Sequence, residues 1–182
     1  MDLLSDSALM LKVKSGDNHT LGLLYERYKK RLFGFFFQMC KDASLCEDLV
    51  QNVFIRVLKY KHTYTEESNF LSWIFKIARN VYYDHFKAAA KNKASDVDEL
   101  YDLKSSDNVE KEMEQNEKMM LLKKAISKLP DDKKEIILLS KIKGLKHKEI
   151  GEVINCSEGN ARTRVHRALN DLKDIYLTLE KR

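Results

Sequence analysis

Hydrophobic residues recur at intervals of three and four positions along much of this 182-residue chain, which is the period of an amphipathic α-helix. The clearest segments lie at about 21–39, 45–59, 69–89 and 147–175. No run of residues alternates between apolar and polar as a half-buried strand does. A single proline and six glycines leave room for long helices. The pattern therefore predicts an all-α protein.

Two consecutive helices separated by a tight turn are predicted at 147–169, where the sequence reads HKEIGEVINCSEGNARTRVHRAL. Gly151 in the first helix is expected to let a partner helix approach closely. Ser157 is expected to cap the second helix, which begins at Glu158. The inward stripe of that second helix is Ala161, Val165, Ala168 and Leu172. A helix-turn-helix of this kind is typical of proteins that read the DNA major groove.

The opposite face of the second helix carries side chains suited to DNA. Its candidate contact residues are Asn160, Arg162, Thr163, Arg164, His166 and Arg167. Arginine and asparagine can pair with two atoms of a guanine or adenine edge, and arginines at the sides of the face reach phosphates. Ordinary surface helices also carry basic residues outward, so this segment alone leaves a purely structural role open.

The helix predicted at 45–59 has a polar stripe that contains one isoleucine. Its inward stripe is Leu49, Val50, Val53, Phe54, Val57 and Leu58. Its other side presents Asp48, Gln51, Asn52 and Ile55. An apolar residue with a polar rim is typical of a protein-binding surface, although single exposed apolar residues are common.

The helix predicted at 69–89, with Ser68 or Asn69 as its cap, carries cations among aromatic residues. Its inward stripe is Phe70, Ile74, Ile77, Val81 and His85. Its outward residues are Ser72, Lys76, Arg79, Tyr83 and Lys87, with Asn80 toward one edge. Cations attract phosphates and rings stack on unpaired bases, so this face suits single-stranded nucleic acid. Trp73 lies at the boundary of the stripe and is expected to belong to the core.

Charge divides the chain into three blocks. Residues 1–95 carry a net charge of +5, residues 96–117 carry −7, and residues 118–182 carry +7. The acidic block has few large apolar residues, so it is expected to be a flexible linker that begins a helix only near Val109. Its charge is expected to keep it off nucleic acid. The sequence thus predicts two small helical domains joined by an acidic linker, the second containing the helix-turn-helix.

The cysteines are Cys40, Cys46 and Cys156, which form neither an even set nor a CxxC pair. This argues against a disulfide framework and a zinc site, and favours a reducing cytoplasm. The longest apolar run, around 32–37, is too short to cross a bilayer, and the amino terminus lacks a signal pattern. We therefore expect a cytoplasmic protein without a metal or cofactor.

Four motifs together resemble a known family. They are DLVQNVFIRVLKY at 48–60, FLSWIFKIARNVYYD at 70–84, the dipeptide Leu129 and Pro130, and the helix-turn-helix. In this order and spacing they are similar to the extracytoplasmic-function (ECF) group of bacterial RNA polymerase sigma factors. The resemblance implies sigma region 2 at 1–95, a linker at 96–112 and sigma region 4 at 113–182. It implies a subunit that directs polymerase to promoters and is not an enzyme.

The resemblance also implies roles for the exposed faces. Asp48, Gln51 and Asn52 fall in the motif that docks on the β′ clamp helices, although the family often has an acidic residue at the position of Asn52. The helix at 69–89 and the loop at 62–68 match the elements that read and melt the −10 element, where one base is flipped into a pocket. The second helix of the helix-turn-helix matches the −35 reader, with Arg162, Thr163, His166 and Arg167 at contact positions.

The implied partners are core RNA polymerase, through its β′ clamp helices and β subunit, and promoter DNA, double-stranded at −35 and single-stranded at −10. Members of the group are often restrained by an anti-sigma factor, so the resemblance makes one a candidate partner. The main alternative is a helix-turn-helix transcriptional regulator that acts without docking on polymerase. It explains the carboxy-terminal half but not the motif at 48–60.

Overall fold

The computed structural model describes residues 4–92, 113–141 and 145–181. Its helices are α1 (Asp6–Lys14), α2 (Thr20–Cys40), α3 (Ala43–Tyr60), α4 (Phe70–Asn92), α5 (Met113–Ser127), α6 (Asp131–Lys141), α7 (His147–Ile154) and α8 (Glu158–Glu180), with a 3-10 turn at Lys61–Thr63. These parts of the chain contain no strand, which confirms the all-α prediction. The predicted linker at 96–112, with Val109, lies outside the described residues.

Side chains that precede the helices fix where they begin. The Asp42 carboxylate accepts a hydrogen bond from the Leu45 amide at 3.0 Å and caps α3. The Asn69 side-chain oxygen accepts from the amides of Leu71 and Ser72 at 2.9 and 3.2 Å, which makes Asn69 the cap of α4. Each cap satisfies amide groups that have no partner within the helix.

The amino-terminal domain packs α1 to α4 around one apolar core. Leu24, Leu32 and Phe36 of α2 are fully buried, and Val53 of α3 and Ile74 of α4 meet them there. The sequence pattern did not single out α1, although its short apolar face of Leu9, Met10 and Val13 is completely buried. Nine residues give too few turns for a periodic pattern to stand out.

Two residues of the amino-terminal domain differ from their predicted places. His85 was expected in the inward stripe of α4, but it is exposed near the end of that helix, beyond the core. Leu58 was expected inward on α3 and is 37% exposed. Trp73 is half-buried and packs its ring edge-on against Tyr64, with centroids 5.3 Å apart, so it is a packing residue as predicted.

The carboxy-terminal domain packs α5 to α8 around a second apolar centre. The predicted stripe of α8 is buried in full and consists of Ala161, Val165, Ala168 and Leu172. Gly151 of α7 faces the turn that leads into α8, rather than a partner helix as expected. A Cβ at Gly151 would lie 2.6 Å from the carbonyl oxygen of Cys156. Only glycine therefore allows the turn to fold back this closely.

The two domains also contact each other. Helix α4 packs along α7, and α2 touches α6. The outward face that the sequence predicts for α4 is therefore partly covered by the carboxy-terminal domain. Ser72, predicted to point outward to solvent, is only 3% exposed for this reason.

Candidate functional site

The turn between α7 and α8 sets the direction in which α8 projects. Asn155 ends α7 with φ 56°, a left-handed conformation that asparagine tolerates. The amide of Cys156 donates to the carbonyl of Gly151 at 2.9 Å and closes the turn. Ser157 then accepts from the Asn160 amide at 3.3 Å and caps α8, which begins at Glu158 as predicted.

The face of α8 opposite the core is open to solvent. All six predicted contact residues are exposed: Asn160, Arg162, Thr163, Arg164, His166 and Arg167. Their polar contacts are made along the same helix. Arg164 Nε donates to Asn160 Oδ1 at 3.0 Å, and an Arg162 guanidinium nitrogen lies 3.6 Å from a Glu158 carboxylate oxygen. Exposed contacts of this kind are weak, so a nucleic acid can replace them at little cost.

The polar stripe of α3 is exposed as a unit. It consists of Asp48, Gln51, Asn52 and Ile55. Ile55 is 65% exposed, so its apolar side chain is open to solvent between the polar residues of the stripe. The sequence pattern therefore predicted this apolar residue within a polar rim correctly.

A shallow groove runs beside that stripe, between α2 and α3. Tyr25, Lys29 and Phe33 of α2 line one wall, and Val50 and Gln51 of α3 line the other. The Tyr25 ring packs edge-on against Phe54 with centroids 5.0 Å apart, and the Lys29 ammonium lies over the Tyr25 ring. The α2 side of this surface was missed from the sequence, because its aromatic residues look like core residues on several faces of one helix.

The predicted face of α4 is divided between solvent and the other domain. Asn80 and Lys87 are exposed and Lys76 is half-buried. Ser72, Arg79 and Tyr83 instead meet side chains of the carboxy-terminal domain. Sequence spacing placed these residues on one side of α4, but it gave no information on what covers that side.

Glu135 of α6 is the centre of the contact with α4. Its side chain is buried, with one oxygen 2.9 Å from Arg79 Nε and the other accepting from the Tyr83 hydroxyl at 3.0 Å. The Arg79 guanidinium also lies over the Tyr83 ring, 4.7 Å from its centroid. Burial raises the pKa of Glu135, and the nearby Arg79 charge opposes that rise. Burial and the Glu135 carboxylate both raise the pKa of Tyr83.

Two glutamates of α7 contact the beginning of α4. Glu152 accepts a hydrogen bond from the Ser72 hydroxyl at 2.9 Å. Glu149 accepts from the Asn69 side-chain amide at 2.7 Å. Each pair is separated by 80 residues in sequence, so no local pattern indicates these contacts. They were missed from the sequence for that reason.

The loop before α4 is held by Tyr64. The Tyr64 side chain is fully buried, and its hydroxyl donates to the Ser68 carbonyl at 3.0 Å. Lys14 of α1 donates to the Tyr64 carbonyl at 2.6 Å. The next three residues, Thr65, Glu66 and Glu67, are exposed. The loop at 62–68 is thus anchored at Tyr64 and open to solvent beyond it.

Comparison with known proteins identifies both domains. Residues 24–92 match the family model of Sigma-70 region 2, and residues 119–172 match that of Sigma-70, region 4. The ECF RNA polymerase sigma factor SigM of Bacillus subtilis (strain 168) is 31% identical over 157 residues, covering 86% of this chain and 95% of SigM. This chain belongs to the ECF sigma factors. It directs RNA polymerase to promoters, so core polymerase and promoter DNA are its partners.

Two solved structures share the fold of this sigma factor. CnrH, solved in complex with the cytosolic domain of CnrY, superposes with a TM-score of 0.68 and 20% identity, covering 93% of this chain and 96% of CnrH. The sigma factor RpoE of Bartonella quintana, solved with the anti-sigma factor NepR, gives a TM-score of 0.64 and 22% identity, covering 84% of this chain and 92% of RpoE. At this identity the likeness supports the two-domain helical fold.

The region 2 match also decides between the two functions that the sequence left open. A helix-turn-helix regulator that acts without polymerase needs region 4 alone, whereas this sigma factor has both regions. Sigma factors are not enzymes. Among the described residues, no helix is both long enough and apolar enough to cross a membrane.

Proposed function

We propose that this sigma factor binds core polymerase, the −10 element and the −35 element through three separate surfaces. Asp48, Gln51, Asn52 and Ile55 of α3 dock on the β′ clamp helices of core polymerase. The second surface, on α4, binds the single-stranded −10 element, and it consists of Ser72, Lys76, Arg79, Asn80, Tyr83 and Lys87. The third surface, on α8, binds the double-stranded −35 element, and it consists of Asn160, Arg162, Thr163, Arg164, His166 and Arg167.

The exposure of the α3 and α8 surfaces on different domains carries this proposal. One surface is polar around an exposed isoleucine, as a protein interface requires, and the other has three arginines. Phosphate contacts by the flanking arginines position α8, and contacts to base edges supply specificity. The domain that carries α3 extends to residue 95, the linker spans 96–112, and the second domain spans 113–182 and contacts the β subunit.

Strand opening belongs to the amino-terminal domain in this proposal. The loop at 62–68 lies immediately before α4 and supplies the pocket for a flipped base. Flipping costs a few kcal/mol of lost stacking, and contacts in such a pocket offset that cost. The sigma factor acts in the cytoplasm and has no catalytic activity of its own, since polymerase supplies the chemistry. An anti-sigma factor is a candidate partner, because RpoE was solved with one.

Paired substitutions on α3 and α8 test this division of surfaces. Arg167→Ala is expected to weaken promoter recognition by about 1–3 kcal/mol at one base pair and to leave association with core polymerase unchanged. Asp48→Ala with Gln51→Ala is expected to weaken association with core polymerase and to leave duplex binding unchanged. Analytical ultracentrifugation measures association with core polymerase, and fluorescence anisotropy with promoter duplexes measures DNA binding.

Each variant serves as the control for the other. Equal loss on every duplex sequence would make Arg167 a phosphate contact rather than a base reader. Loss of both polymerase association and duplex binding in the α3 variant, with reduced helical content by circular dichroism, would indicate misfolding. Normal association of that variant with polymerase would refute the assignment of α3.

A further inference from the structure

We propose that Cys40 and Cys46 form a redox-sensitive modification site, which a hydroperoxide converts to a disulfide and which small thiols restore. The disulfide joins the end of α2 to the beginning of α3, beside the surface that docks on core polymerase, and weakens that docking. The effect on docking rests on the assignment of the exposed stripe of α3 to core polymerase. Formation of the disulfide does not depend on that assignment.

The two sulfur atoms are in contact in the folded chain. Cys40 is the last residue of α2, and Cys46 lies near the beginning of α3, with only Lys41 and Asp42 between the two helices. The Sγ atoms of the two cysteines are 3.6 Å apart. A disulfide requires about 2.05 Å, so the sulfurs must approach by about 1.5 Å. Both thiols are free, and each is the nearest cysteine to the other along the chain.

The two thiols differ in exposure, which gives them different roles. Cys40 is half-buried, so a small oxidant can reach its sulfur, whereas Cys46 is completely buried. Burial raises the pKa of Cys46, and its hydrogen bond with Cys40 raises that pKa further. Cys46 therefore stays a neutral thiol, and Cys40 is the group that meets the oxidant. Cys46 reacts in the second step because it is held in contact with Cys40.

Positive charge lies close to this pair. Lys41 follows Cys40 directly, is half-buried, and donates to the Gln38 side-chain oxygen at 3.0 Å. Burial lowers the pKa of Lys41, and the charges of Lys134 and Lys123 lower it further. Cysteines that react with oxidants lie in electropositive, partly exposed surroundings of this kind, because the thiolate is the form that attacks.

The reaction has two steps and consumes one hydroperoxide. The Cys40 thiolate attacks a peroxide oxygen, an S–O bond forms, and the O–O bond breaks. The departing oxygen takes the Cys40 proton and leaves as water or an alcohol. The Cys46 sulfur then attacks the Cys40 sulfur, an S–S bond forms, and the hydroxyl group leaves with the Cys46 proton as water. Two thiols are oxidised by two electrons, and exchange with two molecules of a small thiol reverses the change.

The new bond changes the position of α3 relative to α2. These two helices form the walls of the shallow groove beside the docking stripe. Cys46 lies two residues before Asp48 on the same helix, so a pull on Cys46 toward α2 also moves Asp48 and Gln51. Binding groups must be held within about 0.5 Å of their productive geometry. Oxidation is therefore expected to weaken association with core polymerase.

The first measurement detects the bond in the full chain after treatment with hydrogen peroxide. Cys156→Ser retains the pair, and its intact mass is expected to fall by about 2 Da, the mass of two hydrogen atoms. Peptide mapping is expected to place the bond between Cys40 and Cys46, and dithiothreitol is expected to remove it. Cys40→Ser is the matched control, because it also retains two cysteines but lacks the pair. No loss of 2 Da is expected in this control.

The second measurement compares association with core polymerase by analytical ultracentrifugation. Peroxide is removed before polymerase is added, so only the sigma factor is oxidised. Oxidised Cys156→Ser is expected to lose association relative to its reduced form, and dithiothreitol is expected to restore it. Association of Cys40→Ser is expected to be the same with and without peroxide. Circular dichroism checks that the helical content of each protein is unchanged.

Each outcome decides between the site and its effect. Absence of the disulfide, with Cys40 unmodified or oxidised only to an acid, would overturn the modification site. A disulfide with unchanged polymerase association would overturn its regulatory role. Cys46→Ala repeats the control if Cys40→Ser loses helical content. The assignment of α3 fails separately, if the reduced variant with Asp48→Ala and Gln51→Ala associates normally with polymerase.

Discussion

At the scale of single residues, Gly151 allows the close turn of the helix-turn-helix because it has no side chain. The chain turns from α7 to α8 in three residues, and the carbonyl of Cys156 occupies the space where a Cβ of residue 151 would lie. The obstacle is backbone rather than the end of a flexible side chain, so it cannot move alone. The angle between the two helices therefore depends on this glycine.

Gly151→Ala is expected to reduce the free energy of unfolding by about 1–3 kcal/mol, because the turn must shift to admit the methyl group. Urea denaturation followed by circular dichroism measures the change. Gly159→Ala is the matched control on α8, where a Cβ meets no atom within 4 Å. That control is expected to be neutral or up to about 1 kcal/mol more stable. Equal stability of both variants would contradict the close packing of the turn.

At the scale of helices, periodicity predicted most of the amino-terminal domain and the helix-turn-helix. Helices α2, α3 and α4 begin and end within a few residues of the sequence prediction, because their apolar residues recur over several turns, and aspartate and asparagine also cap α3 and α4. The inward faces of α3, α4 and α8 were also assigned correctly at most positions. What covers a face is a different question, since Glu152 meets Ser72 across 80 residues of sequence. Contacts of that range leave no periodic signal.

The lysines of α4 test its role as a backbone-binding element. Lys76→Ala with Lys87→Ala in the polymerase holoenzyme is expected to reduce the slope of log affinity against log salt by about 1.4 on single-stranded −10 DNA, at about 0.7 for each phosphate contact. Anisotropy titrations at several salt concentrations give the slope. Lys12→Ala on α1 is the control, because this lysine is exposed on the same domain and lies on another helix. An unchanged slope would show that α4 does not contact the backbone.

At the scale of the whole molecule, two basic blocks of net charge +5 and +7 fold against each other. Such domains repel unless opposite charges meet at their interface. Negative charge at this interface comes from three glutamates. Glu135 lies opposite Arg79, and Glu149 and Glu152 contact the polar residues at the beginning of α4. In the described part of the chain, three glutamates of the carboxy-terminal domain cover part of the α4 surface.

Burial of Glu135 against α4 makes the stability of the folded chain sensitive to pH. Burial raises the pKa of Glu135 in the folded chain above its ordinary value of 4.5, whereas the unfolded chain exposes this carboxyl group to water. The folded state thus binds this proton more tightly than the unfolded state does, so this group contributes more to stability as pH falls from neutrality toward 4.5. Of the groups that face Glu135, Arg79 and Tyr83 lie on α4, and Asp132 lies on the same helix as Glu135.

The free energy of unfolding of the wild-type chain is therefore expected to rise between pH 7 and pH 5 relative to that of Glu135→Gln, as measured by urea denaturation followed by circular dichroism. Glu135→Gln carries no titrating group at this position, so it lacks this contribution over the same range. The difference between the two proteins isolates Glu135 from the other carboxylates, which are present in both. Identical pH profiles would show that the proton affinity of Glu135 does not change on folding.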